Sequence, residues 1–232
     1  MRRLIWFRND LRVHDHPGLH AADGKSGELI SLYVISPRLQ ATTDFGFPKV
    51  GAYRTRFLRE SLEELSGALA RLGNRLILAV GEPAEGIGEL ARGGGVDELW
   101  FQREVGTEEA AEESAVRERL KGEASPPAVC AYDGQTMYDP EALPFDLSRM
   151  PDIFTDLRKA LEAEGHINEP FPPPGRLPPA PAKLPPTPGL PKTASPAAPA
   201  QIGSRGIRFF EDPRRALKAA GLEEREPDLR TA

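Results

Sequence analysis

The sequence predicts an α/β fold: a Rossmann-like, five-stranded parallel sheet with helices on both faces, followed by a proline-rich extended arm. Three observations lead there. The opening run from Arg2 to Leu19, RRLIWFRNDLRVHDHPGL, passes from an apolar stretch into alternating charges and then into a proline-started helix, the layout expected at the ligand-facing end of a parallel strand. Strand-like and helix-like periods then alternate as far as about residue 168, as βαβ units require. From Pro170 to Pro199 the alternation stops, and this stretch holds more than half of the chain's 24 prolines with almost nothing that forms a core.

Each element has its own warrant. Leu4, Ile5, Trp6 and Phe7 form a short continuous apolar run, which suits a strand covered on both faces. Asp15 offers a capping oxygen and Pro17 a pre-set φ for a short helix to Ala22. Leu29 to Ile35 reads as the second strand, closed by Pro37. Gly51 to Leu72 is the clearest helix, because Tyr53, Phe57, Leu58, Leu62, Leu65, Leu69 and Leu72 recur at three- and four-residue steps before Gly73. Arg75 to Val80, Glu98 to Gln102 and Ala128 to Tyr132 supply the remaining strands. Between them lie a short helix from Pro83 to Arg92 and an acidic one from Thr107, its cap candidate, to Lys121, whose early carboxylates suit the helix dipole. A further helix is predicted over Asp152 to Glu164, with Ile153, Phe154, Leu157 and Leu161 on one face.

Composition sets the domain plan and narrows the function. The predicted units are a domain over 1–168, a proline-rich linker over 169–202 and a short, partly helical tail over 203–232, with an amphipathic stretch around Pro213 to Leu222. A net charge of −5, with arginines interspersed among acids, argues against direct nucleic-acid binding. One cysteine, Cys130, lies in an apolar run and reads as a buried, inert thiol. With no signal-like or membrane-spanning segment, the expected location is the cytoplasm.

The constellations that often carry chemistry have plainer readings here. Gly93, Gly94 and Gly95 precede a strand and do not join a strand to a helix, so they predict a turn and not a phosphate cradle. His14, His16 and His20 lack partner ligands at metal-like spacing. No nucleophile or paired-carboxylate signature assigns a catalytic residue. Two loops are less ordinary. TTDFGFPK, Thr42 to Lys49, sets two aromatics beside a glycine, a proline and a lysine; its rings are either core plugs or platforms for a flat ligand. REVGTEE, Arg103 to Glu109, opens the acidic helix with carboxylates that either complement the dipole or accept paired N–H bonds from a heteroaromatic ring.

Those stretches together resemble the N-terminal α/β domain of the photolyase and cryptochrome family, most closely its DASH branch. The residues carrying the resemblance are WFRNDLRVHDHPGL at Trp6 to Leu19, FGFPKVGAYRTRFLRESL at Phe45 to Leu62, REVGTEEAA at Arg103 to Ala111, QTMYDPEALPF at Gln135 to Phe145 and MPDIFTDLRKALE at Met150 to Glu162. The resemblance implies an antenna domain that holds a reduced folate, methenyltetrahydrofolate, and passes excitation to FAD held by a separate helical domain that acts on ultraviolet-damaged DNA. It places the pterin-binding carboxylate at Glu109, or at the adjacent Glu108. Phe45 and Phe47 follow as stacking groups, with Thr43 and Lys49 on the same flanking loop. Arg8, Asp10 and Arg12 are expected mainly to fix the strand end through ion pairs.

None of the family's flavin-binding or DNA-binding motifs follows Pro199, so FAD and photolyase activity are not expected of this chain alone. Folate binding is expected to be weak, because the helical domain would supply part of the cleft. The alternative is a non-catalytic interaction module, or a remnant that pairs with a separately encoded helical half. A nucleotide-binding protein of related topology is a third reading, without a phosphate-cradling loop.

Overall fold

A computed structural model describes residues 1–183 and 207–222. The apolar runs form strands at the predicted places: β1 (Arg2–Phe7), β2 (Glu28–Ile35), β3 (Leu76–Val80), β4 (Glu98–Gln102) and β5 (Ala128–Tyr132). All neighbouring pairs among these five are parallel. The helices are α1 (Pro17–Ala22), α2 (Ala52–Arg71), α3 (Pro83–Gly94), α4 (Thr107–Lys121), α5 (Phe154–Glu164) and α6 (Pro213–Ala219).

Strand alternation divides the core into two layers. Ile5, Phe7, Leu29, Ile35, Leu76 and Leu78 meet α1, α2 and α6 on one face. Leu4, Trp6, Ile30, Leu32, Ile77 and Phe101 meet α3 and α4 on the other. This double coverage explains why the strands are nearly continuous apolar runs and not an in-out alternation.

The sheet is six-stranded, not five-stranded, in the order β5-β4-β1-β2-β3-β6. The added strand, β6 (Arg208–Phe210), comes from the tail and pairs antiparallel with β3. Three residues are too few to show a strand period, so only the edge they meet makes them a strand. Ile207, 3% exposed, seats against Gly81. That glycine has φ 148 and leaves no room for a Cβ, which would lie 2.7 Å from the Ile207 Cδ1. Ala216 and Leu217 of α6 are buried in the same layer as α2.

Part of the proline-rich stretch lies along the domain. Leu177 is 2% exposed, and its N–H donates to Leu72 O at 2.9 Å. Asn74, itself buried, gathers this contact: it accepts from the Ser31 hydroxyl and donates to Leu29 O and Pro178 O. The rest of the linker and the two ends of the tail fall outside the described residues.

Four local expectations need correction. The cap of α1 is His16, whose Nδ1 accepts from Leu19 N–H at 3.2 Å; Asp15 instead adopts a positive φ of 47 and receives Phe171 N–H. Thr107 is the first residue of α4, and the cap position is Gly106. Helix α5 forms but buries no residue, and Ile153 and Phe154 face solvent. Cys130 is half-buried, because β5 is an edge strand; burial still pushes its thiol pKa up. The glycine run ends α3, with Gly95 in the left-handed region as its cap.

Candidate functional site

Strand order reverses direction beside β1: the chain steps from β1 outward through β2 and β3, then crosses to β4. At such a switch point the loops leaving neighbouring strands diverge and open a crevice beyond the carboxyl ends. A cleft of about 630 Å³ lies there. Arg8 and Asn9 come from just beyond the end of β1, Tyr33 from β2 and Ser36 from just beyond it, and Lys49 and Val50 from the following loop. One face of α2 contributes Arg54, Phe57, Leu58 and Ser61, the spacing of a single helical face. The start of α4 contributes Glu108, Glu109 and Glu112.

Arg8 forms the floor. Its guanidinium lies 4.6 Å from the Trp6 ring centroid and donates to Gln102 O and, at 2.9 Å, to Glu109 O. Glu112 stands 3.6 Å away. This strand-end arginine therefore ties β1 to the first turn of α4, as expected of a fixing role. Burial pushes the Glu112 carboxyl above the usual range, although Arg8 and Arg38 draw it down.

Behind the floor, Asp10 is 2% exposed and accepts from Arg8 N–H at 2.9 Å and from the Tyr132 hydroxyl at 2.8 Å. His16 Nε2 lies 3.3 Å from the same carboxylate. Because Leu19 N–H donates to His16 Nδ1, the imidazole proton sits on Nε2 and points to Asp10. Burial pushes the Asp10 carboxyl up, but the hydrogen bond from His16, the charge that ring carries when protonated, and the hydrogen bonds from Arg8 and Tyr132 together outweigh it and hold the group below its ordinary value. Sequence reading missed this link, since Tyr132 lies 122 residues from Asp10.

The cleft brings together three of the six predicted ligand contacts. Glu108, Glu109 and Lys49 line it. Glu108 is paired with Lys49 across the rim. The Glu109 carboxylate, folded over Gly106, has no hydrogen-bond or ion-pair partner among the described residues. Phe45, Phe47 and Thr43 are not in the lining. Phe45 is 85% exposed and stacks on Phe47 with centroids 6.2 Å apart. Thr43 holds their turn closed, both its N–H and its hydroxyl donating to Phe47 O. The aromatic loop is thus neither a core plug nor a wall of this cleft. Tyr33, Arg54, Phe57 and Glu112 line the cleft without having been singled out for it; the i, i+3, i+4, i+7 face of α2 was the available signal for two of them. Among the described residues, no group of His, Cys, Asp and Glu is placed to hold a metal ion, and no helix is long and apolar enough to cross a membrane.

A doubly wound α/β domain with its cleft at the strand-order switch defines the class of fold, one in which ligands bind beyond the carboxyl ends of the strands. The sequence profile described as DNA photolyase matches residues 3–177, and the chain belongs to that family. A cryptochrome DASH of Gloeobacter violaceus is 39% identical over 176 residues, covering 76% of this chain and 35% of that protein. A cryptochrome DASH of Xenopus laevis is 37% identical over 182 residues, covering 76% and 34% respectively. The solved cryptochrome of Synechocystis sp. is similar with a TM-score of 0.74 at 34% identity, covering 79% of this chain and 39% of that one. An archaeal photolyase from Sulfolobus tokodaii, solved with two FAD molecules, shares the fold at 19% identity, with a TM-score of 0.64 over 78% of this chain and 39% of that one. The chain spans about a third of the length of the curated relatives it matches.

Proposed function

We propose that this domain is the antenna-chromophore domain of a DASH-type cryptochrome or photolyase, and that its cleft takes a reduced folate, methenyltetrahydrofolate. The observation that carries this reading is the unpartnered Glu109 carboxylate in a cleft at the strand-order switch. A pterin ring presents a ring N–H and an amino group side by side, and a carboxylate accepts such a pair in bidentate fashion. Glu108 is the weaker candidate, being engaged by Lys49. Arg8 holds the backbone of Glu109 and so fixes where its carboxylate stands. Phe57 and Leu58 offer apolar surface to the ring. When bound, such a pigment absorbs near-ultraviolet or blue light and passes excitation on; light-driven repair or sensing, and the FAD that serves it, belong to the whole family protein.

The test mixes the purified chain with methenyltetrahydrofolate and follows its near-ultraviolet band. A shifted band that Glu109→Ala weakens at least tenfold supports the reading, since a lost charge-assisted hydrogen bond costs about 1.5–3 kcal/mol. No shifted band at millimolar ligand overturns it.

A second reading, an interaction module that meets a helical partner, is favoured by Phe45, Phe57, Met150, Ile153 and Phe154, all at least half exposed. A monomer at high concentration by size exclusion, with no complex on adding a helical half, argues against it.

A further inference from the structure

We propose that the α2 side of the cleft is a subsite for an anionic tail, the glutamyl carboxylates of a folate, with Arg54 as its charged anchor and the Tyr33 and Ser61 hydroxyls as further donors. This rests on the folate reading above and adds an orientation to it. Five cations line the cleft: Arg8, Arg12, Arg38, Lys49 and Arg54. Four are engaged. Arg8 donates to Gln102 O and Glu109 O, Arg12 to Asp15 O, and Lys49 pairs with Glu108, while Arg38 reaches Glu108 O at 3.5 Å. Arg54 makes no hydrogen bond or ion pair among the described residues.

Two hydroxyls in the same lining are also without hydrogen-bond partners among the described residues, those of Tyr33 and Ser61. Arg54 and Ser61 share the cleft-facing side of α2, two turns apart, with Phe57 and Leu58 between them. Burial and the nearby Glu112 charge push the Tyr33 phenol well above its ordinary value, so it stays a donor at neutral pH. The cleft is therefore polarised. The α4 side offers carboxylates, which attract N–H donors and repel anions, while the α2 side offers donors and one unneutralised cation. A ligand with a donor-bearing ring at one end and carboxylates at the other matches that polarity in one orientation only.

The experiment compares methenyltetrahydrofolate with methenyltetrahydropteroate, the same chromophore without the glutamyl group, titrating each into the full chain and reading the near-ultraviolet band. The folate is expected to bind about tenfold tighter than the pteroate at low ionic strength, with the difference shrinking in high salt. Arg54→Gln should shrink that difference, and Arg54→Lys should restore part of it. Tyr33→Phe and Ser61→Ala should each reduce it by a few-fold. If both ligands bind and Arg54→Gln leaves their ratio as it was, the subsite is refuted while the folate reading stands. If neither ligand binds, the folate reading falls, and the tail assignment with it.

Discussion

Replacing Asp10 with alanine should cost about 3 kcal/mol of folding stability, and the structure shows where that figure comes from. Asp10 is 2% exposed and serves the Arg8 N–H, the Tyr132 hydroxyl and the His16 Nε2–H. Without it, three donors lose their acceptor where water barely reaches, each at roughly 1–3 kcal/mol. Two effects reduce the sum: the variant no longer buries a carboxylate, and Tyr132 and His16 stand 3.3 Å apart and can satisfy one another. Urea unfolding at pH 7, followed by tryptophan fluorescence from buried Trp6, measures the loss, provided the denaturant slope is unchanged. The pH dependence supplies an independent check. Because the folded Asp10 titrates below the ordinary 3.8, its contribution is complete above that value and disappears as pH falls through the folded pKa. The gap between wild type and variant should therefore close in acid, below about pH 4. A loss under about 1 kcal/mol at pH 7, or a gap that widens in acid, would refute the idea of a buried acceptor hub.

Glu112→Gln should be neutral to stabilising at pH 7, by about 0.5 kcal/mol once solvent screening of a half-buried group is allowed for. Its folded pKa lies above the ordinary 4.5, so ionisation costs stability as pH rises through that range, and the Gln variant should lack this decline. Chemical denaturation at pH 4 and pH 7 decides it, and a loss beyond about 1 kcal/mol at pH 7 would show that the Arg8 contact outweighs burial. Asn74→Ala should cost about 2–3 kcal/mol, since it strips the Ser31 hydroxyl and the carbonyls of Leu29 and Pro178 of their partner. Limited proteolysis should then cut faster near residues 176–181, and an unchanged cleavage pattern would argue that Asn74 does not hold the arm.

How much was legible in the sequence depends on how local the cause was. The strands β1 to β5 and the helix α2 declare themselves through period and boundary residues, because burial on two sheet faces or on one helix face leaves a repeating trace along the chain. The acidic start of α4 was legible in the same way, as carboxylates opening a helix after a strand, while the choice of Glu109 among them came from the family resemblance. Features that rest on the three-dimensional path of the backbone were not. The His16 cap needed the turn geometry that puts Nδ1 over Leu19 N–H, so the nearer-seeming Asp15 was the natural choice from sequence. The aromatic loop could be a core plug or a ligand platform from its sequence, and only the fold shows that its rings are exposed and stack on each other.

By itself, then, the sequence determined the class of fold, the order of its parallel strands along the chain and the family to which the chain belongs. Tertiary structure alone decided that Arg208–Phe210 is a strand, that Leu177 is a core residue, that Tyr132 serves Asp10, and that Arg54 and Glu109 share one cleft. The physical reason is one of range. Periodicity records which face of a segment is buried, whereas an edge hydrogen bond, a buried acceptor or a free charge takes its meaning from groups that only the closed fold brings near.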